Sequence, residues 1–172
     1  MYSVGRLRGA LLIICSATVP MSVGAATANT NLPISVSVNA NCAVTASSVN
    51  FGVYDPLAAA PTTASGALTI TCTQGTAPVL TVGLGLNELG SVRRLSSGSA
   101  FIPYSLLQPT SNAPGASCAG ASVAFPSAAP GFALTAAPSI ASRSYNVCAQ
   151  IAPGQDVSVG SYTDTVVVTV TF

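Results

Sequence analysis

Histidine, lysine and tryptophan are missing from this 172-residue chain, and only 5% of its residues carry a charge. Without histidine, the commonest general base, Ser-His-Asp and Cys-His catalytic arrangements are excluded. With no CxxC pair either, zinc has no donor set to draw on. Arginine is the only cation and too sparse to make a basic footprint for nucleic acid or an anionic membrane. The four carboxylates, Asp55, Glu88, Asp156 and Asp164, are scattered, and no spacing forces two of them into one cleft as glycoside hydrolysis needs. Two near-motifs also fail. Gly83-Leu84-Gly85-Leu86-Asn87-Glu88-Leu89-Gly90 has a displaced third glycine and no helical pattern after it. Gly115-Ala116-Ser117-Cys118-Ala119 departs from a nucleophile elbow at its last position. Arg93-Arg94, beside Gly and Ser, reads as a solvated turn. No catalytic residue, cofactor or metal is expected.

Long apolar runs are lacking as well. The longest, Ala10 to Val19, is about half of a bilayer span. It follows Arg6 and Arg8 and precedes Pro20 and the small residues Val23-Gly24-Ala25-Ala26. These are the three parts of a secretory signal peptide over residues 1–26, with cleavage expected between Ala25 and Ala28. Ile13 and Ile14 ahead of Cys15 do not fit a lipoprotein signal. The chain is expected to be exported, without membrane insertion.

Cleavage leaves about 146 residues, enough for one domain with a core. Arg93, Arg94 and Arg143 then face the four carboxylates, a formal charge of −1. So little charge on a β-rich surface favours association. Cys42, Cys72, Cys118 and Cys148 remain, an even set that implies disulfides in an oxidising compartment, with three connectivities open. Pairing of sequence neighbours would close two loops of similar length, each adding about 3 to 4 kcal/mol by the chain-entropy argument.

What the chain does have is short alternation. No window sustains a 3.6-residue apolar period, and period-two runs recur between turn residues, so the fold is all-β. Leu32, Ile34, Val36 and Val38 share one face of the first run. Further strands are expected over Cys42 to Tyr54, Gly66 to Thr73, Val79 to Leu86, Ala100 to Leu107, Val123 to Phe125, Phe132 to Thr135 and Ser144 to Ile151. The last, Tyr162 to Phe172, sets Val166, Val168, Val170 and Phe172 on one face. Such an apolar strand must lie inside a sheet or leave an edge open to association. Short strands with frequent turns point to a Greek-key β-sandwich over residues 42–172, and residues 27–41 form a separate strand-like extension.

The sequence resembles the spore coat protein U domain, the fold of subunits in archaic, Csu-type chaperone-usher pili. The matching residues are Cys42-Ala43-Val44, Val49-Asn50-Phe51-Gly52-Val53-Tyr54-Asp55-Pro56 and Gly66-Ala67-Leu68-Thr69-Ile70-Thr71-Cys72. Arg94-Leu95, Ile102-Pro103-Tyr104-Ser105-Leu106 and Gly160-Ser161-Tyr162-Thr163-Asp164-Thr165-Val166 follow. The resemblance implies an incomplete immunoglobulin-like sandwich lacking its last strand, with a Cys42–Cys72 disulfide. It departs at Cys148-Ala149-Gln150, where an aromatic and Gly-Arg are usual, and in the Ala/Gly/Ser-rich region around Cys118. A Cys118–Cys148 disulfide would account for both departures.

The resemblance further implies that Leu32, Ile34, Val36 and Val38 form a donor strand, and that Val166, Val168, Val170 and Phe172 border an acceptor groove. A periplasmic pilus chaperone would fill the groove first. The arm of a neighbouring pilin subunit would replace it at an outer-membrane usher, and the product would be a surface pilus supporting adhesion or biofilm formation. A tip adhesin or carbohydrate-binding module, and a spore-coat structural protein, are the alternatives.

Overall fold

A computed structural model describes residues 23–172, so the charged and apolar parts of the expected signal peptide lie outside the described residues. The chain divides into two units, Met1–Val36 and Ser37–Phe172. In the first, residues 23–36 form no strand. Leu32, Ile34 and Val36 are 81%, 88% and 89% exposed. Alternation alone does not make a strand, because the backbone amides and carbonyls of a strand need a partner ladder. Val38, in the second unit, is equally unpaired and 77% exposed.

The second unit contains only β-structure, in eight strands: β1 (Cys42–Ala46), β2 (Thr62–Cys72), β3 (Val79–Val82), β4 (Arg93–Ser97), β5 (Ala100–Leu107), β6 (Phe132–Ala133), β7 (Arg143–Ile151) and β8 (Val168–Thr171). They make two antiparallel sheets, ordered β1-β2-β7-β5-β4 and β6-β3-β8. The chain changes sheet after β2, β3, β5, β6 and β7, so the sheets are laced face to face as an immunoglobulin-like sandwich. Period-two alternation decides what lies between them. On β2 it buries Leu68, Ile70 and Cys72, on β7 Tyr145, Val147, Ala149 and Ile151, and on β3 Leu80 and Val82. The register Leu68↔Tyr145 and Ile70↔Arg143 keeps these inner rows aligned.

Two disulfides brace the larger sheet. Cys42 and Cys72 face each other across the β1–β2 ladder and are bonded, with S–S 2.07 Å. Cys118 is bonded to Cys148 on β7, with S–S 1.99 Å. Cys148 points away from the core yet is 3% exposed. The 108–124 loop covers it: Gly115 N–H donates to the Ser144 carbonyl and Asn146 Nδ2 to the Ala116 carbonyl, both at 2.8 Å. Outward-facing positions of β7 thus hold this loop to the sheet.

Several expected elements differ. Arg93-Arg94 is not a solvated turn: it opens β4, with Arg93 only 7% exposed. Burial is tolerated because its guanidinium donates to three carbonyls, Gly83 at 2.8 Å, Phe125 at 3.4 Å and Val82. The strand expected over Cys42 to Tyr54 stops at Ala46. The segment expected over Val123 to Phe125 has only an isolated bridge, Leu107↔Ala124, and is held instead by Phe125, which is 2% exposed. The ladder expected over Tyr162 to Phe172 is regular only at β8, with an isolated Ser96↔Thr163 bridge ahead of it.

Candidate functional site

β8 has one neighbour in its sheet, β3, and its other edge is unpaired among the described residues. Just ahead of it, the Thr165 and Val167 carbonyls accept hydrogen bonds from the Leu86 and Gly83 amides at 3.1 and 2.9 Å. Backbone groups alternate sides along a strand, so those of Val166 and Val168 face the open edge. The side chains of Val166, Val168 and Val170 turn inward and pack against the core, but each stays half-buried. Val167, on the outer face, is 67% exposed, and Phe172 is 54% exposed.

Residues 46–54 form a second wall. The Ser47 amide donates to the Ala67 carbonyl at 2.9 Å, and the Ser47 hydroxyl accepts from the Ala67 amide at 2.8 Å, so the segment leaves β1 still tied to β2. Gly66 permits this approach. A Cβ there would lie 2.8 Å from Val49 Cγ2 and 3.2 Å from the Ser47 carbonyl oxygen. At the far end the Tyr54 hydroxyl donates to the Ala152 carbonyl at 2.9 Å and accepts from the Gln155 amide at 3.0 Å. Phe51, between them, meets the Tyr104 ring edge-on at 6.2 Å.

Between the walls lies a groove of two adjoining cavities, of about 310 and 710 Å³. The first is floored by Leu68, Val82, Leu106 and Val147, and Val166 and Val168 line it. The second runs along 48–54 and 157–164 over Ile102 and Ile151. Val49, Phe51, Leu95 and Asp164 line both. Of the four residues expected to border an acceptor groove, the structure therefore places Val166 and Val168 in the first cavity. Val170 is half-buried beyond it, and Phe172 lines neither cavity.

The one charged side chain lining either cavity is Asp164, held by four donors. Its Oδ1 accepts from the Leu86 amide at 3.0 Å, the Asn87 amide at 3.3 Å and Asn87 Nδ2 at 3.1 Å. Its Oδ2 accepts from the Tyr104 hydroxyl at 2.7 Å. Burial, then the bond to Asp164 and its charge, push the Tyr104 hydroxyl well above the ordinary tyrosine range. Burial lowers the Arg93 guanidinium below its usual value, against the raising effect of Tyr104 and Asp164. Among the described residues no cluster of His, Cys, Asp and Glu could hold a metal, and no helix is long and apolar enough to cross a membrane.

The sequence reading named a row on the last strand, of which Val166 and Val168 line the first cavity, and it did not name Val49, Phe51, Tyr54 or Leu95 as lining residues. The signal was present in Gly66, a glycine at an inward position of an otherwise regular strand, which marks close backbone approach.

The family profile described as Spore Coat Protein U domain matches residues 26–169. No curated protein matches the chain. Among solved structures it is similar to a chain in the crystal structure of the CsuC–CsuE chaperone–tip adhesion subunit pre-assembly complex, from archaic chaperone-usher Csu pili of Acinetobacter baumannii. The TM-score is 0.54 at 24% sequence identity, and the likeness covers 78% of this chain and 40% of that one. The present chain thus spans less than half of that chain's length, and what the likeness shows is a shared fold.

Proposed function

Because the chain belongs to the spore coat protein U domain family, we propose that it is a non-catalytic structural subunit of a surface pilus, polymerised by strand donation between neighbours. The observation that carries this reading is the open edge of β8 above a half-buried valine row, in a chain that also carries an exposed alternating apolar arm. An added strand supplies ladder hydrogen bonds to the edge, and its alternate side chains fill pockets.

The energetics favour such an exchange. Burying Leu32, Ile34, Val36 and Val38 at about 1.5 to 3 kcal/mol each gives roughly 6 to 12 kcal/mol before ordering costs. That is comparable with a whole domain's stability of about 5 to 15 kcal/mol. An isolated subunit is then marginal and a linked one robust, which gives a periplasmic chaperone its role as temporary occupant of the groove and an outer-membrane usher its role in replacing it. Arm and groove are different surfaces, so the contact is head-to-tail and propagates as a filament. Adhesion or biofilm formation would be carried by the assembled fibre.

Removing residues 27–38 tests this. Full-length mature protein should form a series of linear oligomers by light scattering, and the truncated chain should remain monomeric alone while accepting one full-length partner. Equal oligomerisation of the truncated chain would refute strand donation.

A further inference from the structure

β8 has one ladder neighbour and a half-filled inner face, and the main-chain tie between its approach segment and the larger sheet is the single Ser96–Thr163 bridge. We propose that Asp164 is the positioning residue of the groove, setting the separation of its walls before any strand enters. The inference rests on the groove being the strand acceptor.

Asp164 lies two residues before Val166 and lines both cavities. Its Oδ1 ties this segment to the β3–β4 connection through Leu86 and Asn87, and its Oδ2 ties it to β5 through Tyr104. Asn87 Nδ2 also donates to the neighbouring Thr163 carbonyl at 3.2 Å. From Tyr104 the restraint passes across the groove, because the Tyr104 ring supports Phe51 on the opposite wall. One carboxylate thus connects the β8 wall, the larger sheet and the 46–54 wall. The chain makes room for it at Gly85, whose φ is +90° and where a Cβ would fall 2.0 Å from Asp164 Oδ2. The carboxylate is half-buried with its donors already in place, so a covering strand removes its remaining water without leaving it unsatisfied.

The test uses the full mature chain carrying Val36→Asp, an exposed position whose change keeps the arm out of neighbouring grooves, alone and combined with Asp164→Leu, Asp164→Asn or Tyr104→Phe, and a labelled synthetic peptide of residues 30–40 as probe. Peptide affinity is read by fluorescence anisotropy, and groove order by amide hydrogen exchange without peptide. Asp164→Leu should bind roughly tenfold to a hundredfold more weakly, from loss of charge-assisted bonds. Its exchange should accelerate at residues 82–87 and 163–168 while the β2 and β7 amides stay protected. Asp164→Asn, which keeps an acceptor for the three N–H donors, should recover most of the affinity. Tyr104→Phe keeps the ring against Phe51 and loses only the bond to Asp164, and should weaken binding about threefold to tenfold, so it decides the matter if Asp164→Leu does not fold. Unchanged affinity in Asp164→Leu or Tyr104→Phe, or faster exchange spread evenly over the sandwich, would overturn the role of Asp164 alone. No binding by the Val36→Asp chain with Asp164 and Tyr104 intact would overturn the strand-acceptor reading itself, and this inference with it.

Discussion

Val36→Asp separates the arm's work on a neighbour from any role in its own subunit. Val36 is 89% exposed, so the substitution removes almost no packing within the subunit, and its melting temperature should match that of the unlinked wild-type monomer. Under strand donation the cost falls in the assembled state, where the side chain would enter an apolar pocket. Losing a buried valine costs about 2 kcal/mol. A carboxylate there must also be neutralised, and protonating an aspartate with an ordinary value near 3.9 at pH 7 costs about 4 kcal/mol. The total of about 6 kcal/mol weakens each subunit contact by roughly 10⁴-fold. Sedimentation or light scattering of the purified mature chain should show monomers where wild type gives filaments. Lowering the pH toward 4 should partly restore them as the protonation cost disappears. Ser37→Asp, on the opposite face of the arm, should polymerise almost normally. A Val36→Asp subunit that unfolds would place the arm in its own sheet, and one that polymerises normally would show that the arm is not the linking element.

The two disulfides should differ in what their loss does. Either closes a loop of 30 residues, worth about 3.5 kcal/mol by chain entropy. Cys118→Ser/Cys148→Ser should also expose the 108–124 loop to limited proteolysis, whereas Cys42→Ser/Cys72→Ser should loosen β1 and the wall that follows it; identical cleavage patterns would contradict this. Arg93→Met keeps the volume but strands three carbonyl oxygens, and thermal unfolding should report a loss of about 3 kcal/mol. An unchanged melting temperature would mean that water replaces the guanidinium. Tyr104 is held neutral in the folded state, so its contribution is fully present below the unfolded tyrosine value of about 10 and is lost as the pH climbs beyond it. Stability should hold to about pH 10 and then fall, less steeply in Tyr104→Phe; ordinary titration of Tyr104 in the folded protein would contradict the assignment.

How much of this was legible in the sequence depends on what holds each segment. β2, β5 and β7 were readable because each turns one face to the core, and their alternation of apolar and small or polar residues records it directly. The 46–54 wall was not, because Ser47 hydrogen bonds, Gly66 and the Tyr54 hydroxyl hold it in place of a ladder, and no period expresses those. β4 was hidden by its first residues. A pair of arginines reads as solvated, and only the folded chain brings the Gly83, Val82 and Phe125 carbonyls around Arg93. Asp164 was visible as a residue of the family pattern, but its four donors come from segments distant in sequence. Period two marked Leu32 to Val38 as able to be a strand. It says nothing of the partner, and within the described residues that segment pairs with none.

The most direct test of strand donation is a high-resolution reconstruction of the fibre assembled from this chain. Residues 32–38 of one copy should be hydrogen-bonded along the open edge of β8 in the next, with Leu32, Ile34, Val36 and Val38 in the groove between the 46–54 wall and Val166. A fibre in which those residues pair within their own subunit, or in which the β8 edge stays open while other surfaces make the contact, would contradict it.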